Sequence, residues 1–384
     1  MAGSALNPII VLGATGSIGR QTLDVADRLD RTVVGLATGS LSNDIIDLAV
    51  RYPDARVAVA HMPDRTIDAA LERRIEFGSD AVASLAGSPE TVVVNGIVGA
   101  AGLEPSLAAL ESGNRLALAN KESLLTGGSL VLAALESGGG ELIPVDSEHS
   151  AISQCIEGES VDEIRRVILT ASGGPFHARP DLDLAQVTVV DALAHPTWDM
   201  GKRISIDSAT LMNKAFEVIE AHFLFSLDYE QIDVVIHPGS FVHSLVEFVD
   251  GVVKAELGSP DMRKPIQRAL TWPGRMPAPV EPIDLLGSAL MFSAPDRERF
   301  PALDLGYEAG RRGGNGPAVL NAADEVAVAA FLDHQIGFTE IVEVVASALS
   351  AVSPAPTATL ADALEADAAG RVAASEAIAA RASR

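Results

Sequence analysis

The chain has one cysteine, Cys155, in 384 residues. That excludes an intrachain disulfide and any cysteine-based zinc site. The ordinary reading of the lone thiol is a small buried apolar side chain. Basic residues are also scarce. Lys and Arg total 28 against 52 Asp and Glu, a net charge of −24. The sequence pI is about 4.6. This argues against a nucleic-acid partner, whose phosphates need cationic neutralisation, and against an anionic membrane surface. An anionic small molecule would need a local cluster of donors, and the acidity alone suits solubility. No apolar run approaches the roughly 18 residues of a membrane span. The opening MAGSALNPIIVLG has neither a basic leader nor a long apolar stretch. The expectation is a soluble, cytoplasmic protein.

What is present is a large apolar fraction, 48%, enough to bury the cores of two or three domains. Residues 8–12, 32–37, 57–60, 91–95, 115–119 and 141–145 read as strands. Residues 19–29, 63–77, 102–111 and 122–136 read as helices between them, with SGGG at 137–140 as a helix stop. Such alternation predicts a parallel, doubly wound sheet. The pattern then changes. Residues 165–170 read as a buried strand followed by the glycine loop ASGGPF, and 192–207 as a long exposed loop. A strong helix is expected over 208–224, then strands over 233–237, 242–249 and 252–257, the last two joined by the hairpin dipeptide Asp250-Gly251. This section predicts an α+β domain with an antiparallel or mixed sheet. The Pro-rich WPGRMPAPVEP at 272–282 reads as a linker. Beyond it, helices are expected over 318–332, 338–349, 357–369 and 371–380.

GATGSIG at 13–19 sits between the first strand and the first helix. Gly13 permits a tight turn, Gly16 close backbone approach and Gly19 close helix packing, so the amides of Thr15, Gly16, Ser17 and Ile18 can face an anion. A dinucleotide site follows from that context. The second strand ends in Ala37-Thr38-Gly39-Ser40-Leu41, with no acid for a ribose 2′-hydroxyl. That favours a cofactor bearing a 2′-phosphate, although no Arg or Lys stands there either.

Two further segments carry chemistry. In SIDSATLMNKAFEVIE, residues 205–220, a helix would put Asn213, Lys214 and Glu217 on one face, with Ser208 just before them. Amide, ammonium and hydroxyl together suit a phosphate; the alternative is a surface Lys214–Glu217 pair. In IPVDSEHSAISQ, residues 143–154, an extended reading puts Asp146 and Glu148 on one side and Ser147 on the other. Same-side carboxylates repel unless a proton or cation separates them. With Glu217 they make three hard oxygen donors, which select Mg²⁺ or Mn²⁺.

GATGSIG, LALANKES (116–123), PVDSEHSA (144–151), ASGGPF (171–176), HPTWDMGKRISIDSATLMNKAFEVIEA (195–221), IHPGSFVHSLVEFVDG (236–251) and LNAADEVAVAAF (320–331) together resemble the 1-deoxy-D-xylulose 5-phosphate reductoisomerase family. The resemblance runs from about residue 8 to 345. It implies an α/β fold: a Rossmann-like NADPH-binding domain over 1–146, then an α+β catalytic and dimerisation domain over 147–272. A linker at 273–297 and a C-terminal helical domain at 298–384 would follow. It implies a metal on Asp146, Glu148 and Glu217, either Mg²⁺ or Mn²⁺, with Co²⁺ also compatible. Phosphate would fall on Ser172, Ser208, Asn213 and Lys214, and substrate hydroxyls on Lys121, Ser147 and Glu148. Residues 192–201, with His195, Trp198 and Met200, would form a mobile lid. NADPH would meet Thr15–Ile18, Gly39, Ser40, Asn120, Glu122 and Gly201. The implied reaction is rearrangement and NADPH-dependent reduction of 1-deoxy-D-xylulose 5-phosphate in the non-mevalonate isoprenoid pathway. A homodimer and binding of phosphonohydroxamate inhibitors of the fosmidomycin type are implied as well.

Three positions depart from the family pattern. Gly39-Ser40-Leu41 lacks the usual basic residue and Asn, Gly239 replaces a Gln, and Asp324 replaces an Asn. Three rival readings remain at this level: a hydrolase using Ser147 and His149, a semialdehyde-type dehydrogenase using Cys155, and a non-catalytic NADP-binding sensor.

Overall fold

The computed structural model describes residues 7–62, 73–196, 201–287 and 289–382. The chain divides into two compact units. One takes Met1–Ser123, Leu130–Ser150 and Asp261–Glu281; the other takes Leu124–Ser129, Ala151–Pro260 and Pro282–Arg384. Among the described residues, no helix is long and apolar enough to cross a membrane.

The first unit is built on a seven-stranded sheet. Its strands are β1 (Ile9–Leu12), β2 (Val33–Thr38), β3 (Arg56–Val59), β4 (Ile75–Phe77), β5 (Val92–Asn95), β6 (Arg115–Leu118) and β7 (Glu141–Pro144), in the order β4-β3-β2-β1-β5-β6-β7. Every pairing is parallel. The runs IIVL in β1 and VVVN in β5, apolar except for Asn95, are buried along their whole length, as a sheet covered on both faces requires. The strand order reverses at β1, so the crevice beyond its carboxyl end is a topological switch point.

One expectation needs correction here. Residues 75–77 were expected to end a helix over 63–77; they form β4, paired from Ile75 to Val57, and residues 63–72 lie outside the described residues. A three-residue strand has no period of its own, so the pairing partner decides it. The helices Asn43–Arg51 and Ser79–Ala86 also exceed the sequence reading. SGGG does stop its helix, Lys121–Gly138, with Gly139 left-handed at φ 67°. The helix Arg263–Thr271 returns to this unit and buries Ile266, Ala269 and Leu270 in its core. Arg31 and Arg115 hold it by donating to the carbonyls of Leu270 (2.7 Å) and Trp272 (2.9 Å).

The second unit carries a mixed four-stranded sheet. Its strands are β8 (Ile164–Ala171), β9 (Ile232–Ile236), β10 (Val242–Phe248) and β11 (Val253–Leu257), ordered β11-β10-β8-β9. Asp250-Gly251 turns β10 into β11, with Gly251 at φ 84°. Residues 192–207 are not one long loop, because a helix Lys202–Thr210 begins there. Nor is 208–224 one helix. Leu211 adopts φ 64° and separates Lys202–Thr210 from Met212–Phe225. No Gly or Pro marks the break; Thr210 bridges it, its Oγ1 donating to Ile206 O and accepting from Met212 N. The apolar faces of Ala302–Arg312, Gly316–Leu332 and Phe338–Ala351 complete the core. Residues 357–369 and 371–380, expected as two helices, run as one, Leu360–Ala382. Gly370 does not interrupt it. A Cβ there would lie 3.0 Å from Ala322 and Val319, so the glycine allows close helix packing.

Candidate active site

GATGSIG folds as its glycines require. Gly13 has φ 75°, and a Cβ on it would lie 2.5 Å from Gly96 O; one on Gly19 would lie 2.3 Å from Gly13 O. The helix Ser17–Arg28 starts at Gly16 without any side-chain cap, so its first amides remain available to an anion. Thr15 Oγ1 and Thr38 Oγ1 are 3.1 Å apart, linking this turn to the end of β2. Gly39 and Ser40 are exposed, and nothing lies within 4 Å of where a Gly39 Cβ would stand. Both observations leave room for a dinucleotide. Asn120 caps Lys121–Gly138. Its Oδ1 accepts from Ser123 N (2.9 Å), and its amide donates to Ile97 O (2.7 Å) and Glu122 Oε2 (2.7 Å).

The carboxylates after β7 are not in an extended segment. Ser147–Cys155 is a helix, and Asp146 caps it by accepting from Glu148 N (3.2 Å). The sequence carried that signal: an Asp followed by a Glu in the first turn satisfies orphan amides and the helix dipole. Lys121 and Asp146 are ion-paired, and His149 Nδ1 lies 3.2 Å from Asp146 Oδ1. Burial would raise the Asp146 carboxyl, but the Lys121 ammonium and the His149 hydrogen bond overcome it and hold the group well below the usual carboxylate range. Ser147 Oγ is hydrogen-bonded to Glu148.

The second unit gathers the other expected residues. Glu217 is 1% exposed. It accepts from Asn213 Nδ2 (2.6 Å) and pairs with Lys214, all on one face of Met212–Phe225. Asn213 Oδ1 is buried without a partner among the described residues. Ser172 Oγ is 2.9 Å from His195 Nε2 and accepts from Gly174 N (3.2 Å). Burial lowers the His195 pKa. A Cβ on Gly174 would lie 2.8 Å from Ser208 O, so the 172–174 loop abuts the helix that carries Ser208. Gly201 opens that helix as its N-cap. Trp198 and Met200 lie outside the described residues.

Family models described as 1-deoxy-D-xylulose 5-phosphate reductoisomerase match residues 9–128, and as its C-terminal domains match 142–225 and 257–373. A relative of that name from Xanthomonas oryzae pv. oryzae is 49% identical, over 97% of this chain and 96% of its own. One from Thermosynechococcus vestitus is 48% identical, over 93% and 89%. The chain belongs to the 1-deoxy-D-xylulose 5-phosphate reductoisomerase family. The solved reductoisomerase from Zymomonas mobilis in complex with NADPH is 42% identical, with a TM-score of 0.88 over 97% of this chain and 99% of that one. A reductoisomerase in complex with NADPH, fosmidomycin and magnesium is 38% identical, with a TM-score of 0.88 over 97% and 98%.

Membership in the reductoisomerase family displaces two rivals, and the geometry agrees. Ser147 bonds Glu148 while His149 Nδ1 faces Asp146, so no Ser–His pair forms between them. Burial, then Glu256, push the Cys155 thiol up to about 11, the opposite of an activated nucleophile. Two of the three departures have local explanations. Gly239 leaves space for the Phe241 ring, 2.5 Å from where its Cβ would be. Asp324 is fully buried and faces Arg203 at 3.3 Å. Arg203, which the sequence reading passed over, also donates to Asn321 (2.7 Å) and Glu325 (2.9 Å). It ties the Ser208 helix to Gly316–Leu332. Its only sequence signal was a basic residue in a segment taken for loop.

Proposed function

We propose that this chain converts 1-deoxy-D-xylulose 5-phosphate to 2-C-methyl-D-erythritol 4-phosphate by rearrangement and NADPH-dependent reduction, in the non-mevalonate isoprenoid precursor pathway. The observation that carries this is full-length likeness to reductoisomerases, one of them solved with NADPH, fosmidomycin and magnesium. Asp146, Glu148 and Glu217 would hold Mg²⁺ or Mn²⁺, with Co²⁺ as a further compatible ion. The fit is chemical. Each unit offers hard carboxylate oxygens, and the lysines Lys121 and Lys214 already place positive charge on Asp146 and Glu217. When bound, such an ion stabilises negative charge developing on substrate oxygens. Thr15–Ile18, Gly39, Ser40, Asn120, Glu122 and Gly201 would hold NADPH, which would supply the hydride.

The chain's own residues do the rest. Lys121 and His149 keep Asp146 ionised. Ser172, Ser208, Asn213 and Lys214 donate to the substrate phosphate, and His195 orients the Ser172 hydroxyl. Binding energy from the phosphate, remote from the reacting carbons, supports the chemical step. Lys121, Ser147 and Glu148 meet the substrate hydroxyls. By resemblance to the family, residues 192–201, with His195, Trp198 and Met200, would serve as a lid that excludes water. We assign cofactor binding to 1–146, catalysis and dimerisation to 147–272, whose helix Arg263–Thr271 packs back into the core of the first unit, a linker to 273–297 and a helical domain to 298–384. We also assign a homodimeric, cytoplasmic enzyme that binds phosphonohydroxamates of the fosmidomycin type. The test is NADPH oxidation with the sugar phosphate, with Mg²⁺ or Mn²⁺ and after chelation. Metal-independent oxidation, or none with either ion, would overturn the reading.

A further inference from the structure

β2 ends in Thr38-Gly39-Ser40-Leu41, with no cation. Arg20, one residue past GATGSIG, closes the first turn of Ser17–Arg28. Its Nε donates to Thr15 O (3.0 Å) in the phosphate-facing turn, and its Nη2 donates to Asp44 Oδ2 (2.8 Å) in the first turn of Asn43–Arg51. Thr15 is in turn joined to Thr38 at the end of β2. The guanidinium therefore bridges the glycine turn and the segment that follows β2. In this fold the ribose next to the adenine lies between those two elements. The Arg20 side chain is 58% exposed, and its Nη1 makes no hydrogen bond among the described residues. Asp44 is the first carboxylate after β2, and Arg20 already occupies it.

We propose that Arg20 is the specificity-determining residue for the cofactor's 2′-phosphate, held at the rim of the site by Thr15 O and Asp44. The proposal rests on the NADPH-dependent reading above. A guanidinium offers paired donors that match phosphate oxygens, which a hydroxyl such as Ser40 cannot supply as a charge. Asp44, while paired with Arg20, is also kept from acting as a ribose-hydroxyl acceptor, the role an acid plays in NAD-selective sites.

The test is calorimetric titration of the full chain with NADPH, NADH, 2′,5′-ADP and 5′-AMP. Wild type should bind NADPH and 2′,5′-ADP more tightly than NADH and 5′-AMP. Arg20→Met should weaken NADPH and 2′,5′-ADP roughly 10- to 100-fold, the size of one charge-assisted contact. NADH and 5′-AMP should stay within about twofold. Arg20→Lys should recover part of the loss. NADPH binding by Arg20→Met at the wild-type level would overturn the proposal. So would equal losses for NADPH and NADH, which would mean damage to the glycine turn. Wild type that binds neither NADPH nor 2′,5′-ADP would instead sink the NADPH-dependent reading itself.

Discussion

Lys121, at the start of its helix, is ion-paired with Asp146, the cap of the helix Ser147–Cys155. The pair is largely enclosed, at 12% and 16% side-chain exposure. It joins the ends of β6 and β7 on the carboxyl side of the sheet, where an open parallel sheet places its chemistry. The ammonium neutralises Asp146. Asp146→Asn keeps the cap, since Asn caps as well as Asp, but removes the charge. Turnover should fall at least about 10³-fold, while calorimetric NADPH affinity stays near wild type. Loss of NADPH binding in this variant would show that Asp146 serves the cofactor site instead.

Glu217 poses the same question in a drier setting. Its partner Lys214 has a side chain only 4% exposed. Glu217→Gln should abolish turnover and also remove the carboxylate with which the buried Lys214 ammonium pairs. Removing one member of a buried pair costs about 3–5 kcal/mol, which urea denaturation would register. Adding Lys214→Met should restore much of that stability and none of the activity. Recovery of activity in the double variant would mean that Glu217 only balances Lys214.

Much of this was legible in sequence. The buried strands announce themselves as apolar runs, and the glycines of GATGSIG fit the contacts the fold makes around them. The set Asn213, Lys214 and Glu217 follows from helical spacing once a helix is granted. What was not legible depends on partners distant in sequence. β4 exists because Ile75 pairs with Val57, and Gly370 stays helical because another helix lies against it. The Leu211 break has no local breaker. The Asp146–Glu148 turn differs: its Asp cap and first-turn Glu are local signals, but they follow directly on an apolar strand whose pattern reads as extended.

Gly19 tests how tightly the phosphate turn is built. A Cβ there would meet Gly13 O at 2.3 Å and Ala14 Cα at 2.6 Å, both backbone. Backbone cannot swing aside, so Gly19→Ala should displace the turn and cost about 1–3 kcal/mol of stability. NADPH and NADH affinities should fall together, unlike the selective loss expected for Arg20→Met. Gly39→Ala is the control, because its Cβ meets nothing within 4 Å; its stability should stay within about 0.5 kcal/mol of wild type in thermal denaturation. Equal stability of the Gly19 and Gly39 variants would refute the packing argument.

Asp324 gives the pH prediction. Burial, with the nearby Glu325 charge, pushes its carboxyl up to about 6, against the opposing pulls of Arg203 and of the Asp207 hydrogen bond. The unfolded value is 3.8, so between these limits the folded state holds a proton that the unfolded state has released. Stability from this group is therefore present below about pH 4 and falls as pH rises towards 6. Asp324→Asn removes the titration and keeps an acceptor for Arg203. It should leave stability unchanged near pH 4 and raise it at pH 7.5, as urea unfolding at the two pH values would read. The Arg203 anchor to Asn321 and Glu325 should survive, so turnover should hold near wild type. A variant less stable than wild type at pH 7.5 would mean that the Arg203 charge pair outweighs the burial of Asp324.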